Sequence, residues 1–156
     1  MRVGQSTEGQ HLTYFSRQFE SNEEFWRRFG GRPEFAGKTV LDLGCGQGAM
    51  TVDVAQAGAT VVGVDLDEER VEFARRNVAL RHPDLAERVS FECARLESLG
   101  FEERFDVALS KDTFEHVDDM DSMLQALHRV LTPGGELWAA SRRSTSAHGA
   151  ITDGPA

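Results

Sequence analysis

Two acidic side chains and three glycines can together hold a nucleoside-like ligand. Residues 40–50 read VLDLGCGQGAM, an apolar run interrupted by Asp42 and followed by glycine at every second position. Gly44, Gly46 and Gly48 lack a Cβ, so the backbone can turn sharply and lie close to a ligand. The pattern predicts a strand, a tight turn and a helix start, the arrangement by which an α/β sheet binds nucleotides.

The acids narrow the chemistry of the ligand. Gly44, Gly46 and Ala49 also satisfy the dinucleotide pattern G-x-G-x-x-G/A. However, the Asp42 carboxylate would repel a pyrophosphate and attract a cation. Asp65 ends the next predicted strand, about 20 residues after the first glycine, where a carboxylate can accept both ribose hydroxyls. These features favour an adenosine with a positive, phosphate-free tail, and S-adenosylmethionine is such a molecule.

The chain resembles the class I S-adenosylmethionine-dependent methyltransferases. The resemblance covers about two thirds of the chain and depends on five segments in the family's order: residues 41–48 (LDLGCGQG), 62–65 (VGVD), 105–108 (FDVA), 114–117 (FEHV) and 131–135 (LTPGG). It implies the fold and the cofactor, and it does not identify the methyl acceptor. The site residues that the reading assigns to the cofactor are Asp42, Gly44, Cys45, Gly46, Gly48, Asp65, Leu66, Leu96, Ser110 and Lys111. No metal ligands are predicted.

The roles of two positions, Arg95 and His116, stay open at this point. Arg95 stands where the family often has an acid that accepts the adenine amino group, and arginine has only donors. Either Glu97 or a backbone carbonyl takes over that role, or packing holds the adenine. His116 is the one general base that we nominate, for a hydroxyl, amine or thiol acceptor. The alternative is that His116 only holds the shape of its loop, because methyl transfer needs alignment more than it needs a base.

Composition restricts the partners. The chain has 156 residues and a formal net charge of −9, which argues against a nucleic-acid partner because such a partner requires a basic face. Cys45 and Cys93 have no metal-type spacing and are predicted to be reduced thiols in a cytoplasmic protein. No export signal or membrane span is predicted. The expected partner is a small-molecule acceptor.

The elements that position these residues form one α/β domain. We predict a mostly parallel, doubly wound sheet of five strands in the order 3-2-1-4-5, with helices on both faces. Residues 1–36 are predicted as a helical cap segment, with a helix at 22–29 that begins at the box Ser21–Glu24. This helix either packs onto the sheet or covers the ligand. Residues 37–140 are predicted as the cofactor-binding domain.

Residues 141–156 contain one large apolar side chain and are predicted to be a disordered tail. The resemblance implies two further strands after the fifth, paired as an antiparallel hairpin. No such strands are predicted in residues 141–156, so the chain is expected to be truncated after the fifth strand. An out-of-frame translation of the tail is one hypothesis. Without a hairpin the fifth strand is a free edge, where homo-oligomers would pair. Three alternative functions remain: a nicotinamide-dependent oxidoreductase, a cofactor-binding module without activity, and a structural protein that pairs through that strand.

Overall fold

The computed structural model describes residues 4–141 and 146–150. Its helices and strands are α1 (Glu8–Arg27), β1 (Thr39–Leu43), α2 (Ala49–Gln56), β2 (Thr60–Asp65), α3 (Glu68–Arg81), β3 (Val89–Cys93), β4 (Phe105–Lys111), α4 (Met120–Val130), β5 (Leu131–Ala140) and β6 (Ser146–Ala150). Short 3-10 helices cover Pro83–Leu85, Leu96–Ser98 and Phe114–His116. Strands and α-helices alternate from β1 to β3 and again from β4 to β5, as in a doubly wound sheet, and the 3-10 helix Leu96–Ser98 lies between β3 and β4.

The strands form one sheet in the order β3-β2-β1-β4-β5-β6. The first five are parallel, and β1 lies between β2 and β4, with Asp42 opposite Gly63 on one side and Leu109 on the other. The predicted order 3-2-1-4-5 is confirmed. The order reverses at β1, so the ends of β1 and β4 open a crevice at the carboxyl edge of the sheet.

Both faces of the sheet are covered, because adjacent strand residues point to opposite sides. Val40, Val61 and Val107 contribute to the core on the face that also contains buried side chains of α1, α2 and α3. Leu41, Val62 and Ala108 contribute to a second core with α4. The apolar runs of the central strands therefore follow from burial on two sides.

The amino-terminal helix is longer than predicted. A helix at 22–29 is wrong at its start, because α1 begins at Glu8 behind a capping box formed by Thr7 and Gln10. The Ser21–Glu24 box lies inside the helix instead. Although α1 has 20 residues, neither it nor another helix in the described part of the chain is long and apolar enough to cross a membrane.

The carboxyl-terminal strand is a second correction. Residues 146–150 were predicted to be disordered, but they form β6, which pairs antiparallel with β5. The predicted free edge at the fifth strand is therefore wrong, since the unpaired backbone groups of β5 bond to β6. The segment Ser146–Ala150 was not predicted as a strand because it lacks apolar alternation. The rest of the predicted tail, 142–145 and 151–156, lies outside the described residues.

Candidate functional site at the carboxyl edge of the sheet

A cavity of about 760 Å³ opens at the carboxyl edge, where the strand order reverses. Its volume lies within the range of small-molecule sites, roughly 300–1,000 Å³. Residues after β1, β2, β3 and β4 line it, together with one side of α1 and the start of α4. The sheet and its loops supply one half of the lining, and α1 with the loop after β4 supplies the other.

The glycine loop, residues 44–48, borders the first half of the cavity. Residues 44–47 line it, whereas Gly48 is absent from the lining and lies against Phe91 and Ala74. The backbone N–H groups of Gly44 and Cys45 both donate to the Val64 carbonyl, at 2.8 and 3.0 Å. Gly44 has φ +74°, and a Cβ there would overlap the Thr113 side chain. Thr113 in turn donates from Oγ1 to the Leu43 carbonyl at 3.1 Å. The first glycine is required because the loop after β4 packs directly on it.

Asp65 is held on one side of the glycine loop. Its Oδ2 accepts from the Gly46 N–H at 2.8 Å, and its Oδ1 accepts from the Asp67 N–H at 2.9 Å. The carboxylate is half-buried and lines the cavity. Each carboxylate oxygen can accept more than one hydrogen bond, so the fixed carboxylate can still accept from a ligand diol.

Asp42 lies at the other side of the loop and is 2% exposed. Thr51 donates from Oγ1 to its Oδ2 at 2.7 Å. Burial raises the pKa of Asp42 to about 6, the Asp65 charge adds to the increase, and the Thr51 hydrogen bond opposes it. At neutral pH the carboxylate is therefore ionised, and it is a strong attractor for a cation in the cavity.

The neighbouring thiol is not a nucleophile. Burial raises the pKa of the Cys45 thiol well above its usual value, and the nearby Asp42 and Asp65 charges reinforce the shift. Cys45 lines the cavity as a neutral, buried side chain. Its predicted contact with a ligand is therefore through packing or the backbone.

Apolar side chains flank Asp65 where an adenine ring would lie. Leu66 is 63% exposed, whereas Leu96 is 1% exposed, and both line the cavity. Arg95 and Glu97 also line it; Arg95 is exposed and Glu97 is half-buried. Glu97 can accept a hydrogen bond from the ligand, which Arg95 cannot, and its side chain is also less exposed.

Ser110 and Lys111, the two site residues predicted at the end of β4, have different surroundings in the structure. Ser110 is buried and is absent from the cavity lining, and its Oγ has no hydrogen-bond partner among the described residues. The structure therefore does not support the contact predicted for Ser110. Lys111 does line the cavity, but its Nζ donates to α1. His116 is exposed and lines the outer part of the cavity.

The α1 wall, which we define as the cavity-lining residues Tyr14, Gln18 and Asn22, was not predicted residue by residue. The sequence left open whether the helix at 22–29 covers the ligand, and Tyr14 and Gln18 lie before that predicted helix. The Thr7-x-x-Gln10 spacing was the available signal, since it matches a capping box. Asp112 also lines the cavity, with a left-handed φ of +58° that sequence does not reveal for a non-glycine residue.

Comparison with known proteins identifies the relatives of this arrangement. A family model described as "Methyltransferase domain" matches residues 41–139. A ubiquinone biosynthesis O-methyltransferase from Ruegeria pomeroyi is 38% identical over 124 residues, covering 80% of this chain and 48% of that protein. The protein of that name from Pseudomonas paraeruginosa is 36% identical over 112 residues, covering 70% and 47%. The chain spans about half the length of these relatives.

A solved structure agrees with the sequence relatives. An S-adenosylmethionine-dependent methyltransferase from Mesorhizobium loti is similar with a TM-score of 0.62 and 29% identity, covering 74% of this chain and 50% of that one. The matched family segment runs from β1 into β5 and includes the glycine loop and both acids. The chain therefore belongs to the class I family of S-adenosylmethionine-dependent methyltransferases.

Proposed function

We propose that this chain is a methyltransferase domain that transfers a methyl group from S-adenosylmethionine to a hydroxyl of a small molecule. The observation that carries the proposal is the pair of carboxylates, Asp42 and Asp65, which flank the glycine loop in one cavity. Family membership supports the cofactor, and relatives named O-methyltransferases support oxygen as the acceptor atom.

The residues present fit this cofactor. When bound, S-adenosylmethionine supplies a methyl group activated by a sulfonium. Asp65 would accept from the ribose hydroxyls, and Leu66 and Leu96 would contact the adenine. Glu97 would accept from the adenine amino group, in place of the acid that the family often has at the position of Arg95. Ionised Asp42 would orient the cationic methionine end.

The other half of the cavity would hold the acceptor. The α1 wall and the loop after β4 border this half and can align a nucleophile, which is the main requirement for methyl transfer. His116 stands at this side and could take the proton from an acceptor hydroxyl. In this proposal the histidine assists, and alignment supplies most of the rate.

We also propose that the protein acts in the cytoplasm. Cys45 and Cys93 are both free cysteines in the structure. Reduced thiols are typical of proteins in a reducing compartment. Cell fractionation with an antibody against the protein would test the location.

Calorimetry with S-adenosylmethionine, S-adenosylhomocysteine and NAD tests the cofactor. We expect the first two to bind, and Asp65→Asn to weaken them by about 2–4 kcal/mol because a charge-assisted hydrogen-bond pair is lost. Asp106→Asn is the matched control: this half-buried carboxylate also accepts a backbone N–H, from Thr39 at 2.9 Å, but it lies at the opposite edge of the sheet. Preferential binding of NAD would overturn the proposal.

Measuring turnover distinguishes an active methyltransferase from a domain that only binds the cofactor. Formation of S-adenosylhomocysteine should be measured with panels of hydroxyl, amine and thiol acceptors, and we expect the hydroxyl panel to respond. If His116 is the base, His116→Gln should lower kcat, because glutamine cannot take the proton from the acceptor hydroxyl. Cofactor binding with no turnover on any panel would leave the chain as a cofactor-binding domain.

A further inference from the structure

Lys111 joins the sheet edge to α1 across a separation of about 90 residues. Its Nζ donates to the Gln18 carbonyl at 3.0 Å, to Ser21 Oγ at 2.5 Å and to Asn22 Oδ1 at 2.9 Å. An ammonium group has three N–H donors, and these three acceptors all belong to α1. The side chain is half-buried and lines the cavity. These three hydrogen bonds are directed at the helix and not at the place of a ligand.

Asn22 extends this contact to the helix that follows the glycine loop. The side chain is 2% exposed, and its Nδ2 contacts the Ala49 carbonyl at 3.4 Å and Asp53 Oδ2 at 3.2 Å. Its other end accepts from Lys111. One buried amide thus connects the end of β4, α1 and α2, which are the elements on both sides of the crevice.

The network is expensive to break, because its central member is buried. Removing the Lys111 ammonium leaves Asn22 Oδ1 without the donor that it has here, and an unsatisfied buried acceptor costs more than a hydrogen bond normally contributes. Ser21 Oγ also donates to the Gln18 carbonyl at 2.9 Å, so two of the three acceptors are coupled. Lys111 therefore adds three hydrogen bonds to the core packing that holds α1 at the cavity.

We propose that Lys111 and Asn22 are positioning residues that hold the α1 wall against the cofactor cavity, and that Lys111 does not contact the cofactor. This inference depends on the proposed function for its ligand. It replaces the role that family resemblance implied for Lys111, a contact with the methionine end. Gln18 and Asn22, which bond to Lys111, are themselves part of the cavity lining.

The test compares Lys111→Met with Lys38→Met. Methionine keeps the length of lysine and removes the donors. Lys38 is exposed and lies just before β1, at the amino-terminal edge of the sheet. In ligand-free protein, Lys111→Met should raise amide hydrogen exchange in residues 8–27 by about tenfold and leave the central strands unchanged. It should weaken S-adenosylhomocysteine binding by about tenfold, and Lys38→Met should change neither quantity.

Two results would overturn the inference. Weaker binding with unchanged exchange in α1 would mean that Lys111 acts on the cofactor by direct contact or through its charge beside Asp42, and not through α1. Faster exchange in α1 with unchanged affinity would mean that α1 is not a wall of the cofactor site. If the wild-type protein does not bind S-adenosylhomocysteine, the proposed function fails, and the ligand-free exchange still tests the role of Lys111.

A second variant covers the case in which Lys111→Met does not fold. Ser21→Ala removes one acceptor of Lys111 from a half-buried position and leaves the sheet intact. We expect a smaller increase in exchange, about threefold, confined to α1. Unchanged exchange in α1 for this variant would count against the network.

Discussion

The two halves of the cavity are built in different ways. In the glycine-loop half, neighbouring strands hold the polar groups through short-range bonds, such as Gly46 to Asp65 and Thr51 to Asp42. In the α1 half, a side chain at the end of β4 reaches a helix at the start of the chain. The first half follows from local sequence patterns, whereas the second exists only after distant elements have packed.

This difference predicts different sensitivities. Backbone conformation and buried charge determine the glycine-loop half, so substitutions there should change stability strongly. The α1 half combines side-chain hydrogen bonds with the packing of buried side chains of α1, so the loss of one hydrogen bond there should cost less than a backbone clash. The following predictions test that ranking, and the Lys111 variants complete it.

The largest effect is expected for Gly44→Ala. The residue has φ +74°, and a Cβ would overlap Thr113, so we expect a loss of about 3–5 kcal/mol in the free energy of unfolding. Gly37→Ala is the matched control, because its φ is +75° but nothing lies within 4 Å of the added Cβ. It should cost about 1–2 kcal/mol, the strain of the left-handed conformation alone. Urea unfolding of both variants provides the measurement.

A second substitution isolates the overlap. Thr113→Ala in the Gly44→Ala background should recover part of the loss, because Thr113 Oγ1 and Cγ2 are the nearest atoms to the added Cβ. Equal costs for Gly44→Ala and Gly37→Ala would show that the loop after β4 does not constrain the first glycine. The ranking of the two halves would then lose its main support.

Asp42→Asn should stabilise the protein and lower its affinity for the sulfonium ligand. The folded pKa of about 6 exceeds the ordinary 3.8, so folding favours the protonated acid, and the contribution of Asp42 to stability falls as pH rises from about 4 to 6. Above pH 6 the ionised, buried carboxylate costs about 2–3 kcal/mol, which the neutral amide avoids. The stabilisation should therefore appear at pH 7–8 and vanish near pH 4.

Thermal unfolding from pH 4 to 8 measures the Asp42 effect. Calorimetry at pH 7.5 should show weaker binding of the sulfonium ligand to Asp42→Asn than to wild type. A stability difference that does not depend on pH would contradict the raised pKa of Asp42. It would also remove the electrostatic argument for a cationic ligand.

The smallest effect is expected at an exposed contact between β5 and β6. Glu136 Oε2 pairs with His148 Nε2 at 2.7 Å and accepts from Trp138 Nε1 at 3.0 Å. These hydrogen bonds, that of His148 first, lower the pKa of Glu136 below its ordinary 4.5. The side chains of Glu136 and His148 are 45% and 41% exposed, so Glu136→Gln should cost less than about 1 kcal/mol.

The contribution of Glu136 has a defined pH range. It is present above pH 4.5 and is lost as the pH falls through the lowered folded pKa, because the unfolded chain then binds the proton first. Comparison with Glu102→Gln, at an exposed residue before β4, gives the baseline for urea unfolding. A loss as large as that of Gly44→Ala would show that β6 stabilises the sheet more than exposed contacts normally do.

The strands and their order could be predicted, and the outlying elements could not. Strands β1, β2 and β4 are apolar runs bounded by glycine or charge, and burial on both faces requires that composition. Strand β5 starts at Leu131, and its pairing with β4 is irregular between Leu131 and Glu136. That irregular stretch contains Pro133, Gly134 and Gly135, residue types that are typical of turns.

The misses have a common physical cause. Ser21 and Asn22 have the composition of a helix start, but in the structure they accept from Lys111 inside α1. The strand β6 has little intrinsic preference for strand and depends on the edge of β5. In both cases a partner distant in the chain overrides the local preference.

The sequence by itself determined the parallel sheet, the glycine turn and the two acids beside it. These features depend on residue type and on spacing within one strand–turn–helix unit, so local physics is sufficient. Only the tertiary structure decided that α1 lines the cavity, that Ser110 does not, and that Asp42 has a raised pKa. Burial and long-range hydrogen bonds are properties of packed elements, and no single segment of the chain contains them.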